Sequence, residues 1–270
     1  MPLNFHFSTA EILWTLTFAA LLVLLVVLLG RDRVRRYPWF TASIVLIALR
    51  MLASRLLFGK LAPLASSEVF LVLADVTAVV SFVVVVEMAR RAFAGASRRA
   101  WIAGTLVLLA VGATVLALWG PWPSWKTLEV RSTLANLQRM QLAAQKIDLL
   151  DDVLAVELGL LLTLVGRRFK AGWRSHTQQI VLGLSTAAMA ETAVRVIWQK
   201  LMNGPPPQSQ DEYLRITGLR DKIVNANEIA YLVVLAWWIV CLWIDEPGSK
   251  AAVFAPAPEE MIREETPAVE

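Results

Sequence analysis

The chain holds one cysteine, Cys241, and two histidines, His6 and His176. A lone thiol forms neither an intrachain disulfide nor a multi-cysteine metal centre, and it leaves the compartment open. Haem held between helices needs several intramembrane histidines. These two are expected on opposite membrane faces, which excludes a haem or zinc site. A retinal Schiff base needs a lysine inside a spanning helix; the last predicted helix has none, since Lys222 precedes it. Neither HExxH nor GxxxxGK[ST] occurs. No cofactor is expected. Long single-sign charge runs are missing too. The net charge of +4 is spread in short clusters between apolar runs, which suits anionic headgroups and not nucleic acid. There is no internal repeat and no soluble catalytic or DNA-binding domain.

What is abundant is apolar sequence. Hydrophobic residues make up 57% of the chain, and the mean hydropathy is +0.58. Crossing a hydrocarbon layer takes about 20 apolar residues. The fold class this predicts is an all-α, polytopic membrane bundle of seven transmembrane helices. They run from about Thr9 to Leu29, Trp39 to Phe58, Glu68 to Met88, Ala100 to Trp119, Leu149 to Val165, Thr177 to Trp198 and Asn227 to Ile244. Residues 1–246 form one domain. The tail from Asp245, and 247–270 above all, is rich in Ala, Pro and Glu and is expected to be disordered in the cytoplasm.

Charge sets the orientation. Arg31 to Arg36, Arg90 to Arg99 and Arg167 to Arg174 are dense basic loops that alternate with the others, so all three share one side. The positive-inside rule makes that side cytoplasmic, with the N-terminus outside and the C-terminus inside. No Lys or Arg precedes the first apolar run, so it reads as a retained helix and not a cleaved signal. Trp119, Trp122 and Trp125 mark the outer interface; Trp39, Trp101, Trp173 and Trp243 mark the inner one. The expected location is the inner membrane, with the lipid bilayer as first partner.

Two outer segments break the pattern. Residues 124–158 lack Gly and Pro, which predicts an outer helical extension over about 124–148. Leu137, Met140, Ala144, Ile147, Asp151, Leu154, Leu158 and Leu161 recur every three or four residues, a helix-packing seam. It lies against its own bundle, or it joins two copies or a larger membrane complex. Residues 203–225 begin with Gly204, Pro205, Pro206 and Pro207 and read as an irregular outer loop. Asn225, Asn227 and Glu228 then suit a capped start for the last helix.

Ionisable groups within spans are costly and face the protein interior. Here they are Arg50, Arg55, Asp75, Glu157, Glu191 and Arg195, with Glu87 near the inner end and Glu68 and Glu228 near outer ends. At about 1.5 Å rise per residue, they share a layer from the midplane to the outer leaflet. Glu191 and Arg195, at i and i+4, pair on a face that carries Gly183 and Ala187. Arg50 and Arg55 point about 140° apart, so Arg50 is assigned to the interior and Arg55 snorkels. The layer is either an outward-facing pocket for a small anionic or zwitterionic ligand, a proton path, or a set of ion pairs that only orients helices. Asp148, Asp151 and Asp152 form a DxxDD cluster that is a weak candidate for Mg²⁺ or Ca²⁺, with solvated acids as the plainer reading.

Arg35-Arg36-Tyr37-Pro38-Trp39-Phe40, Glu87-Met88-Ala89-Arg90-Arg91 and Ala236-Trp237-Trp238 give the chain a further likeness. Through them it resembles multi-spanning bacterial membrane proteins of the acidobacterial type, which carry an RRYPxF segment after the first helix. The resemblance covers most of the membrane core and implies no activity and no catalytic residue. Tyr37, Trp39 and the arginines also suit an interfacial anchor. The reading that fits best is a non-enzymatic ligand- or partner-binding membrane subunit or sensor. A small-molecule or proton-coupled transporter stands second. A membrane enzyme using Asp148, Asp151 and Asp152 on a lipid-linked substrate stands third.

Overall fold

A computed structural model describes residues 8–57, 60, 62–94, 97–119, 122, 132–165, 175–202 and 209–246. The described residues form helices α1 (Thr9–Gly30), α2 (Arg33–Arg36), α3 (Pro38–Leu57), α4 (Pro63–Ala92), α5 (Arg98–Leu118), α6 (Thr133–Val165), α7 (His176–Met202) and α8 (Gln210–Trp243), with no strand among them. Five are long and apolar enough to cross a membrane: α1, α3, α4, α7 and α8. In α5 the apolar stretch is the shorter Ile102–Leu118.

Local chemistry explains the helix starts. Ser8 and Glu11 close a reciprocal capping box on α1. Pro63 and Pro38 open α4 and α3, where a missing N–H costs nothing. The last helix corrects the expectation of an outer loop. It starts at Gln210, 17 residues before Asn227 (227 − 210), and its cap is Ser209, whose side chain accepts the Glu212 N–H, not Asn225 or Asn227. Asp211 and Glu212 sit in its first turn, where the helix dipole favours acids. Lys222 is therefore inside a helix, but exposed on it.

The helices close a ring: α1 packs on α3, α3 on α4, α4 on α6, α6 on α7, α7 on α8, and α8 back on α1. Outside the ring, α5 packs against α6. The seam on α6 faces this bundle, since none of its eight residues is exposed. Side chains such as Val26, Leu106, Val107 and Val240 point outward, as lipid-facing surfaces require.

The two ends of the ring differ. Leu21, Leu24 and Leu28 of α1, Phe40 and Ile44 of α3, Met88 of α4, Leu158 and Leu162 of α6, Ile180 of α7 and Leu235 and Trp238 of α8 make a fully buried plug. All lie in the half nearest the arginine-rich turn. That turn is locked in place. Asp245 takes Arg33 at 3.3 Å, and Glu246 takes Arg36 at 2.7 Å and the His176 backbone N–H at 2.8 Å. Tyr37 bonds Thr177 at 3.2 Å beneath Arg91. The α1–α3 turn and the adjoining ends of α4, α7 and α8 therefore meet at one end. Tyr37 is completely buried, so it is a core residue and not an interfacial anchor, while Trp39 is exposed. Asp245 and Glu246 are pinned, unlike the disordered tail expected from Asp245 onward. Residues 247–270 and the Arg167–Arg174 cluster lie outside the described residues.

This lock titrates. Burial works to raise the Glu246 carboxyl, but the His176 amide and Arg36 outweigh it and hold the acid below its usual range. A depressed carboxylate stabilises the fold above its unfolded pKa, about 4.3, and that contribution is lost as pH falls through the folded value. The melting midpoint should therefore fall more steeply below about pH 4.5 in the wild type than in Glu246→Gln. At neutral pH the variant should be weaker by about 1–2 kcal/mol, discounted because the pair is partly exposed. Parallel pH profiles of the two proteins would remove Glu246 as the titrating group.

Candidate functional site

Beyond the plug the ring is not filled. A cavity of about 380 Å³ lies among α3, α4, α6, α7 and α8, and a second of about 420 Å³ extends it toward α1. Both sit within the size range of small-molecule sites. They share Ile47, Arg50, Glu228 and Tyr231, so they are two lobes of one space. The floor of the first lobe is apolar: Phe40, Ile44, Val84, Leu184 and Trp238. Phe40 and Trp238 meet edge to face with centroids 5.1 Å apart. Its upper wall is charged: Arg50 from α3, Asp148, Asp151 and Asp152 from α6, Glu191 from α7, and Glu228 from α8.

These charges divide into two sets. Arg195 takes Asp152 at 3.2 Å and Glu191 at 3.3 Å, which ties α6 to α7. This is the i, i+4 pair the spacing predicts, with an added partner. Asp152 is almost fully buried, so the guanidinium compensates its desolvation. The second set makes no ion pair among the described residues: Arg50, Asp148, Asp151 and Glu228. One carboxyl oxygen of Asp151 is buried without a hydrogen-bond partner, as are the Tyr231 hydroxyl and the Thr17 hydroxyl, all of which line a lobe.

The remaining sequence candidates fall elsewhere. Arg55 reaches outward to Glu11 at 3.4 Å and lies over Trp14, the snorkelling expected of it. Asp75 and Glu157 line neither lobe. Glu68 lines neither as well. Glu87 serves the opposite end, accepting the Phe40 N–H at 3.2 Å and pairing with Arg91 at 3.1 Å. The DxxDD acids join the cavity wall, which their reading as solvated groups did not foresee. Among the described residues no group of three or more His, Cys, Asp or Glu is placed to hold a metal ion. Asp152 is paired with Arg195.

Thr17, Ser43, Thr77, Ser81 and Tyr231 also line the space and carry no signal in the sequence. Neutral polar residues on apolar helices give no signal until the neighbouring helix is known. No family model, curated protein or solved structure matches the chain. The acidobacterial likeness therefore rests on its short motifs alone.

Proposed function

We propose that the chain is a seven-span inner-membrane protein whose arginine-rich end faces the cytoplasm and whose cavity binds a small molecule from outside. It acts as a receptor-like or sensory subunit and not as an enzyme. The observation that supports this best is the set of ionisable groups on the cavity wall that form no ion pair among the described residues. Ion pairs that serve only as helix glue are already present as Arg195 with Asp152 and Glu191. Arg50 is exposed along both lobes and Asp148, Asp151 and Glu228 line the wall beside it, none with an ion-pair partner among the described residues, and polar groups left unmet inside a bilayer are costly. A bound polar molecule supplies what they lack.

Transport is less well supported. Carriers of this kind commonly break helices at the midplane, and here α3, α4, α7 and α8 run unbroken past the cavity, above a closed plug. Protein extracted together with its surrounding lipid should carry a tightly held small molecule, detectable by mass spectrometry. Ala188→Leu, which adds bulk at the cavity wall, should lose it. Bare chain in both preparations, at full folding, would overturn the binding reading.

A further inference from the structure

The two-lobed cavity carries a more specific chemistry, resting on the ligand-binding reading above. We propose that it takes a zwitterion of amino-acid type with an apolar side chain, its carboxylate on Arg50 and its ammonium on Asp148, Asp151 and Glu228.

The charges set the ends of the ligand. Arg50 lines both lobes and has no ion pair among the described residues. A guanidinium presents a planar fork that fits a carboxylate with two parallel hydrogen bonds. A purely cationic ligand would leave that fork empty. A purely anionic ligand would leave the carboxyl groups unmet, including the Asp151 oxygen that has no partner. An ammonium offers three donors and can serve several carboxyl oxygens at once. A bare metal ion would also leave Arg50 unanswered, and among the described residues no three acids are placed to hold one.

Buried neutral groups point the same way. Thr17 is 1% exposed, and its hydroxyl has no hydrogen-bond partner although it lines a lobe. Buried polar groups are nearly always satisfied. Thr17 and the Tyr231 hydroxyl flank the lobe with Arg50, where they can donate to the same carboxylate. The floor of Phe40, Ile44, Leu184 and Trp238 is apolar and removed from the charges, which selects an apolar side chain.

The full chain in lipid nanodiscs should be stabilised, saturably, by at least one of L-leucine, L-phenylalanine and L-tryptophan in a thermal-shift titration. Phenethylamine has the ammonium alone and 3-phenylpropionate the carboxylate alone, so each should bind at least about tenfold more weakly than the amino acid. Arg50→Gln should weaken the amino acid by about 100-fold. Should that variant fail to fold, Arg50→Lys keeps the charge without the fork and should lose about tenfold. Equal binding of either single-charge analogue would overturn the zwitterion and leave the binding reading intact. No response to any amino acid would also overturn it; the retained-molecule measurement then decides the wider reading alone. Unchanged affinity in both Arg50 variants would remove Arg50 as the carboxylate site.

Discussion

Gly183→Val should leave little or no folded protein in the membrane. Gly183 lies in the first third of α7 directly beneath the Trp238 indole of α8, and a Cβ built there would overlap the ring nitrogen and its neighbouring carbons. The ring has nowhere to go, because Trp238 is buried and braced edge-on by Phe40. Overpacking usually costs about 1–3 kcal/mol, and more where the neighbour cannot yield. Gly183→Ala should therefore survive with a clearly lower melting midpoint, by about 2–3 kcal/mol, and the larger valine should not. The contact is specific, so Trp238→Leu should partly rescue Gly183→Ala. A double-mutant cycle should return a coupling of about 1–3 kcal/mol. A melting midpoint for Gly183→Val within error of wild type would show that α7 and α8 do not approach as closely as described.

Gly183 illustrates which parts of the fold a sequence carries. The small-residue face of Gly183 and Ala187 is visible as spacing, and the structure uses it for a close helix contact. Apolar run length likewise locates the helices, and the Arg31–Arg36 turn does meet the Arg91 end of α4. Helix limits are less legible, because a polar stretch after a proline run looks irregular whether or not it is helical. Residues 210–225 are polar and follow a proline run, yet they continue α8. Ser209-Gln210-Asp211-Glu212 is a helix-start signal that hydropathy alone hides.

The site was half visible for a geometric reason. Depth follows from counting along a helix, so Arg50, Glu191, Asp75 and Glu157 could be placed in one layer. Azimuth depends on which helices are neighbours, and that requires the ring. Glu157 lies five residues beyond Asp152, about 140° around α6, and so turns away from the cavity that Asp152 lines. Asp75 is two residues from Thr77, nearly half a turn off, and only Thr77 faces the lobe. The same geometry brings in the DxxDD acids, which the sequence marks as a cluster without showing what they face.

Glu87→Ala should be the most damaging loss of a single charge, and Glu87→Gln should be much milder. Glu87 comes from the last turns of α4, yet its carboxylate accepts the Phe40 N–H in the first turn of α3. Tyr37, just before α3, turns its side chain to Thr177 and does not cap the helix, so a side chain from another helix supplies the acceptor that the free Phe40 N–H requires. The negative charge also sits at the positive end of the α3 dipole and pairs with Arg91, whose guanidinium lies over the Tyr37 ring. Glu87 is 8% exposed, so little solvent can take its place. Alanine would strand both the amide and the arginine, at a cost of about 2–4 kcal/mol. Glutamine keeps an acceptor for Phe40 and gives up only the charge, which should cost about 1 kcal/mol. The two outcomes separate a cap from a simple ion pair. Equal destabilisation by alanine and glutamine would mean that the charge on Arg91, and not the start of α3, is what Glu87 serves.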